Sequence, residues 1–163
     1  MKSGIYRKGV FIVTYRKEKN KILYLLLKRK LHWNGWEFPK GGLEKGESEK
    51  EAAIRELFEE TGEKVVKIKS YNIKGKYKYE KEFSDRIGFI GQSYKLFSAE
   101  VKDKNVTIEK REHSGYKWET FDKAFSMLTF PDKKVCLNIV NKELMKRWIK
   151  WIIMKSGKKK KNQ

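Results

Sequence analysis

The stretch from Ser48 to Gly62 marks its own boundaries as a helix and then loads one face of it with like charge. Ser48 followed by Glu51 has the spacing of a capping box, and Gly62 stands where a left-handed residue would close the helix, so the spacing predicts a helix over 49–61. Within it Glu56, Glu59 and Glu60 recur at i, i+3 and i+4, which puts three carboxylates on one face within about one turn. Ala53 and Leu57, one turn apart, can anchor the helix on a sheet. A solvated helix would intersperse Lys among its Glu residues at i+4, whereas here like charges face one another and repel. The whole chain has Lys+Arg 40 against Asp+Glu 21, a formal net charge of +19, so an acidic cluster within it calls for a cation. Hard carboxylate oxygens select Mg²⁺ or Mn²⁺. Taken alone, an acidic helix face is an ordinary solvated surface, and the residues before it are what argue otherwise.

Those residues run from Trp36 to Glu47 as a strand end entering a glycine-rich loop. Gly41, Gly42 and Gly46 let backbone N–H groups approach a ligand closely, as a phosphate cradle requires, and Glu47 brings a fourth carboxylate to the helix start. Around this segment the chain reads as strands, one charged helix, more strands, then helices. Gly9–Tyr15 and Ile22–Leu27 are apolar runs buried on both faces and joined across Arg16–Lys21; Gly88–Val101 is a long strand and Gly115–Thr120 a short one. Thr120 caps a helix with Phe121, Ala124, Phe125 and Leu128 at helical spacing, and Pro131 starts a last helix with Val140, Leu144, Trp148 and Ile152 on one side. Both stripes are expected in the core. A length of 163 residues suits one domain, here 1–155, followed by a basic disordered tail at 156–163.

Several classes of function are excluded or disfavoured. Cys136 is the sole cysteine, so there is no intramolecular disulfide, cysteine-rich zinc site or CxxC pair, and a reducing cytoplasm fits best. Met1–Lys8 lacks the apolar stretch of a signal peptide. Trp148–Ile153 is interrupted by Lys150 and flanked by Lys146, Arg147 and Lys155, far short of the roughly 20 apolar residues of a span, so no membrane partner is expected. The basic excess attracts polyanions: phosphates, nucleotides, nucleic acid or acidic lipid.

Gly41, five residues, Glu47, seven residues, then Arg55-Glu56-Leu57-Phe58-Glu59-Glu60-Thr61-Gly62 resembles the Nudix box at every charged and glycine position. Glu63 departs from it, standing where that family usually has an aliphatic residue. The resemblance implies an α/β fold, an α/β/α sandwich around a central mixed β-sheet, and hydrolysis of a nucleoside diphosphate linked to a further group. It also implies Mg²⁺ or Mn²⁺ held by Glu56, Glu59 and Glu60, with Glu47 contributing directly or through water, and Arg55 orienting these glutamates by a salt bridge. The metals would lower the pKa of a bound water and stabilise charge during attack on phosphorus, with no covalent intermediate, so Cys136 and the serines are not nucleophile candidates.

Outside the box, Trp36–Gly41 with Glu44, Gly46 and Glu47 resembles the entrance of bis(5′-nucleosyl)-tetraphosphate hydrolases. Glu112-His113-Ser114-Gly115-Tyr116-Lys117-Trp118 resembles a segment of the animal and archaeal type of those enzymes, which act on diadenosine tetraphosphate, Ap4A, to give ATP and AMP. Tyr79 falls where that subfamily carries a nucleobase-stacking tyrosine, and Lys78 stands where ADP-ribose hydrolases tend to have proline. Each auxiliary residue has two readings. Tyr79 stacks a base or is an ordinary strand residue; Glu112 is a further metal ligand or water-activating base, or ends a loop. Lys40 and Arg29 bind phosphate or are simple surface charge. His113 reads as a hydrogen-bonded structural residue, and Trp118 and Phe38 as packing. The same entrance and helix also resemble RNA 5′-pyrophosphohydrolases and decapping enzymes, so RNA stays open as a partner, and a non-catalytic Nudix-fold binding module is a third reading.

Overall fold

A computed structural model describes residues 4–160, with side chains described through Lys158. The first strand, β1 (Ile5–Glu18), carries the unbroken buried run from Gly9 to Tyr15. Strand alternation explains why that run is almost wholly apolar: Phe11, Val13 and Tyr15 enter one core, and Val10 and Ile12 the other, while the buried Thr14 hydroxyl donates to Ile12 O. β1 therefore lies in the middle of a sheet covered on both sides. It turns through Lys19, held at φ 47°, into antiparallel β2 (Lys21–Arg29). Two short strands follow, β3 (Gly35–Glu37) on the edge of β2 and β4 (Lys40–Gly42) on β1.

Next comes α1 (Glu49–Thr61), with both halves of the capping box formed: Ser48 Oγ accepts from Glu51 N–H at 3.2 Å, and Glu51 Oε2 from Ser48 N–H at 2.7 Å. Gly62 closes it at φ 71°, its N–H donating to Phe58 O at 2.7 Å. β5 (Val65–Lys78) pairs antiparallel with β6 (Phe89–Val101), and β6 pairs parallel with β1. β7 (His113–Glu119) pairs with β2, and α2 (Phe121–Met127) and α3 (Pro131–Lys160) follow. The main sheet order is β3-β2-β1-β6-β5. Ala53 and Leu57 of α1 pack with Val10, Ile12 and Phe97 on one face; Leu137, Val140 and Leu144 of α3 pack with Phe11, Tyr24 and Leu26 on the other. This is the α/β sandwich with a mixed sheet that the box implies.

The outer helices differ from expectation in three places. Phe125 and Ile152 are 38% and 47% exposed: of the α2 stripe, Ala124 and Leu128 take the core with Phe121 packed against it and leave Phe125 outside, and in α3, Ile152 lies beyond Leu144, the last buried residue. Thr120 precedes α2 in extended conformation but its side chain makes no capping bond. Residues 156–160, read as tail, continue α3 as helix, while 161–163 lie outside the described residues. Glu63, the departure from the box, is buried, with its N–H on Thr61 Oγ1 at 3.1 Å, and burial pushes its carboxyl upward.

Candidate active site

The geometry begins at Arg55, which faces inward from α1 toward the loop. Its Nε and Nη2 grip both oxygens of Glu47 at 2.7 and 3.0 Å, its Nη1 reaches Glu56 at 3.1 Å and Glu59 at 3.0 Å, and Nη2 also donates to Gly42 O at 2.8 Å. One planar fork thus fixes three carboxylates and ties the helix to the loop backbone, which a single-point lysine charge would not do. Glu47 also accepts the Glu44 N–H at 2.9 Å, which with the Arg55 grip fixes its carboxylate at the start of the helix.

Glu60 is the deep member. It is 4% exposed, accepts the Lys40 backbone N–H at 3.0 Å, and has its carboxyl pushed well above the usual range by burial and by the neighbouring charges of Glu37, Glu112 and Glu56. Burial also raises Glu56, against the pull of Arg55. Glu59 is the exposed member. Ligand atoms of Glu60, Glu112 and His113 lie within 4.8 Å of one another. A buried carboxylate surrounded by other carboxylates is unfavourable as an anion until a cation joins it, and this oxygen-rich set fits a hard divalent ion. Glu56, Glu59 and Glu60 would hold it, with Glu112 beside them.

Gly41 and Gly42 are required by protein groups as much as by any ligand. A Cβ on Gly41 would meet the Glu56 carboxyl, and one on Gly42 the Arg7 guanidinium at 2.4 Å. Lys40 is buried at 6%, its Nζ 3.6 Å from Glu37. Arg29 is buried at 1%, donating through Nε to Leu31 O at 2.9 Å and through Nη1 to Glu37 at 3.3 Å and Glu112 at 2.5 Å. It is not a free surface charge: its place is behind Glu112, orienting that carboxylate. His113 is buried and hydrogen-bonded, its Nε2 3.2 Å from Glu37 Oε1. Phe38 lies in the core beneath α3, and Trp118 packs against the other core, beneath α1, with its indole N–H on Lys104 O at 2.9 Å.

Two residues escaped the sequence reading. Glu37 is fully buried between Arg29, Lys40 and His113; burial would raise its carboxyl, but Lys40, the His113 hydrogen bond and Arg29 outweigh that and bring it to about 2. Its only sequence signal is a carboxylate between Trp36 and Phe38 in a strand. Lys133, 3% exposed, lies 4.7 Å from the Phe130 ring centroid and 5.0 Å from that of Phe11, and burial lowers its pKa.

Lys40, Lys133 and Arg29 also line a cavity of about 380 Å³ whose walls are aromatic, including Tyr77, Tyr79 and Phe83. Tyr79 just follows β5, set edge-on to Tyr77 and Phe83 at 6.1 and 5.3 Å, with the Arg86 guanidinium 5.2 Å from its ring. His32 stacks on Phe83 at 3.9 Å. Flat apolar walls, a cationic floor and a carboxylate cluster behind that floor suit a ligand with a planar base at one end and phosphates at the other.

Such a fold, with a carboxylate cluster beside a cationic cavity, is that of a hydrolase acting on phosphoanhydrides. The comparisons agree: the NUDIX domain family matches residues 5–138, and the chain belongs to it, a Nudix hydrolase. It is 30% identical over 152 residues to an RNA pyrophosphohydrolase of Nitratiruptor, covering 88% of this chain and 98% of that one. It is 33% identical over 117 residues to the asymmetrical bis(5′-nucleosyl)-tetraphosphatase of Sus scrofa, covering 71% and 76%. A crystal structure of a C. elegans Ap4A hydrolase binary complex superimposes with TM-score 0.71 at 25% identity, over 85% of this chain and 98% of that one.

Proposed function

We propose that the chain hydrolyses Ap4A asymmetrically to ATP and AMP, with Mg²⁺ or Mn²⁺ held by Glu56, Glu59 and Glu60. The observation that carries this reading is the aromatic cavity: Tyr77, Tyr79 and Phe83 offer ring faces to a base, and Lys40 joins that space to the carboxylates through its backbone bond to Glu60. The metal supplies charge neutralisation on phosphate oxygens and an acidified water. The chain's own residues do the rest. Arg55 keeps Glu56 and Glu59 aligned, and Arg29 holds Glu112 where it can take a proton from water. Lys40 and Lys133 put positive charge beside the phosphate run. The full set of box carboxylates argues against a non-catalytic binding module, which has no use for a like-charged cluster. Cys136 is the single cysteine of the sequence, so no disulfide can form within the chain, which fits a reducing, cytoplasmic setting.

A second reading, removal of pyrophosphate from an RNA 5′ end, is favoured by the near full-length likeness to the Nitratiruptor protein and by the net charge of +19. A competitive screen of Ap4A, 5′-triphosphorylated RNA, ADP-ribose and nucleoside triphosphates, with products identified, tests both. ATP and AMP from Ap4A at the highest kcat/KM supports the proposal; two ADP from Ap4A, or preference for the RNA with a steep loss at high salt, overturns it. Glu59→Gln should lower kcat at least about 100-fold, as loss of one major electrostatic contributor does.

A further inference from the structure

The end of α3 has no partner in the fold. Leu137, Val140 and Leu144 are the last residues of the helix to be buried, and every side chain from Ile149 to Lys158 is exposed. A roughly 45 Å helix of 30 residues thus carries its final turns beyond the sheet. Those turns are not polar. Met145, Ile149, Ile152 and Ile153, at i, i+4, i+7 and i+8, form one stripe exposed by 40%, 51%, 47% and 63%, adjoining the line of Val140 and Leu144 but lying past Leu144, the last residue of the helix that the fold buries. Trp151, 51% exposed, lies under the Lys155 ammonium at 4.1 Å. From 145 to 160 there are seven Lys and Arg residues and no Asp or Glu.

We infer that this helix end is a peripheral docking surface for anionic lipid. It is too charged to cross a bilayer, and no helix among the described residues is long and apolar enough to do so. Lying on a bilayer is different: isoleucines enter the acyl boundary, the tryptophan sits at the headgroups, and lysines meet lipid phosphate. The charge pattern selects this occupant over the alternatives. A second copy of the helix end would bring seven further cations against the first, with no carboxylate in either stretch from 145 to 160 to offset them. A nucleic acid would meet the lysines but leave the isoleucine stripe in water.

Flotation of the full chain with vesicles of phosphatidylcholine alone, and of phosphatidylcholine mixed with phosphatidylglycerol, tests this. Binding should be confined to the anionic vesicles. Lys146→Gln, Lys150→Gln and Lys155→Gln together should weaken it on the order of 100-fold, at roughly fivefold per charge. Ile149→Ser, Ile152→Ser and Ile153→Ser together should weaken it at least about tenfold while leaving the Tm unchanged, since no core residue is touched. With unaltered protein, lipids brominated in the acyl chain should quench tryptophan emission on the anionic vesicles, a readout that does not depend on any variant folding. The inference is overturned if the isoleucine variant binds as the parent does, which would assign the affinity to general surface charge. It is overturned equally by absent quenching, or by a dimer or an RNA complex that the isoleucine changes abolish.

Discussion

A Cβ built on Gly41 would stand 1.9 Å from the carboxyl carbon of Glu56 and 2.2 Å from each of its oxygens. The glycine of the loop and the first glutamate of the cluster therefore share one volume. Gly41→Ala would displace the end of a flexible side chain, not backbone, so the fold should lose about 1 kcal/mol or less. The carboxylate would nevertheless move by an ångström or more, and misplacement on that scale costs about 100-fold in rate. Thermal melting and kcat on one preparation check this; wild-type turnover would show that Glu56 finds its place without the glycine.

Glu60 gives the metal-free protein an unusual pH dependence. Its carboxyl and that of Glu56 are raised above the ordinary 4.5, both chiefly by burial. Between 4.5 and those raised values the folded chain holds more protons than the unfolded chain, so stability should fall as pH rises through that window. Glu60→Gln removes the larger contribution, and the apo variant should melt higher than the apo parent at neutral pH, with a flatter profile. Mg²⁺ should raise the Tm of the parent by mass action and that of the variant less. Equal response to Mg²⁺ in the two would remove Glu60 from the ligand set.

Glu37 has the opposite sign. Held at about 2, it stabilises the fold above the ordinary carboxylate value, and that contribution is lost as pH falls toward 2. Glu37→Gln keeps its shape but leaves Arg29 and Lys40 buried without their shared anion, a change that costs about 3 to 5 kcal/mol when a buried pair is broken. Urea unfolding should show the midpoint fall with the slope unchanged. A loss below about 1 kcal/mol would mean that Glu112 and Glu60 take over the two cations.

What could be read from the sequence was the chemistry written at fixed spacing along one segment. The caps at Ser48 and Gly62 and the Arg55 fork act within a few residues of their partners, so local spacing determines them. Gly9–Tyr15 was legible because burial on both faces permits an unbroken apolar run. Glu37 and Lys133 were not, because their partners arrive from other elements that only strand pairing and helix packing bring alongside: Arg29 from β2, His113 from β7, Phe11 from β1. Arg29 stayed open between a phosphate contact and a surface charge for the same reason, since only the β2–β7 pairing brings Glu112 within 2.5 Å of it. Ile152 was assigned to the core on helical spacing, which fixes a face but does not say how far the sheet beneath it extends.

Tyr79 separates binding from chemistry. Its ring lies in the aromatic wall with Arg86 5.2 Å from its centroid, while its hydroxyl makes only a 3.4 Å contact with Gln92 Oε1. The ring face and not the hydroxyl is thus what it presents. A base stacked on an aromatic side chain contributes about 1 to 3 kcal/mol by truncation, so Tyr79→Ala should weaken Ap4A binding roughly 5- to 150-fold, and Tyr79→Phe or Tyr79→Trp should restore most of it. Tyr79 is not among the groups that surround Glu60, so the loss should fall on KM with kcat little changed. Arg86→Ala, which removes a cation worth about 0.5 to 1 kcal/mol on an exposed ring, should shift KM in the same direction by less. Steady-state kinetics on Ap4A and on 5′-triphosphorylated RNA distinguish the two substrates: a Tyr79→Ala defect confined to RNA, with Ap4A turned over as by the parent, would assign this wall to the terminal nucleotide of a transcript.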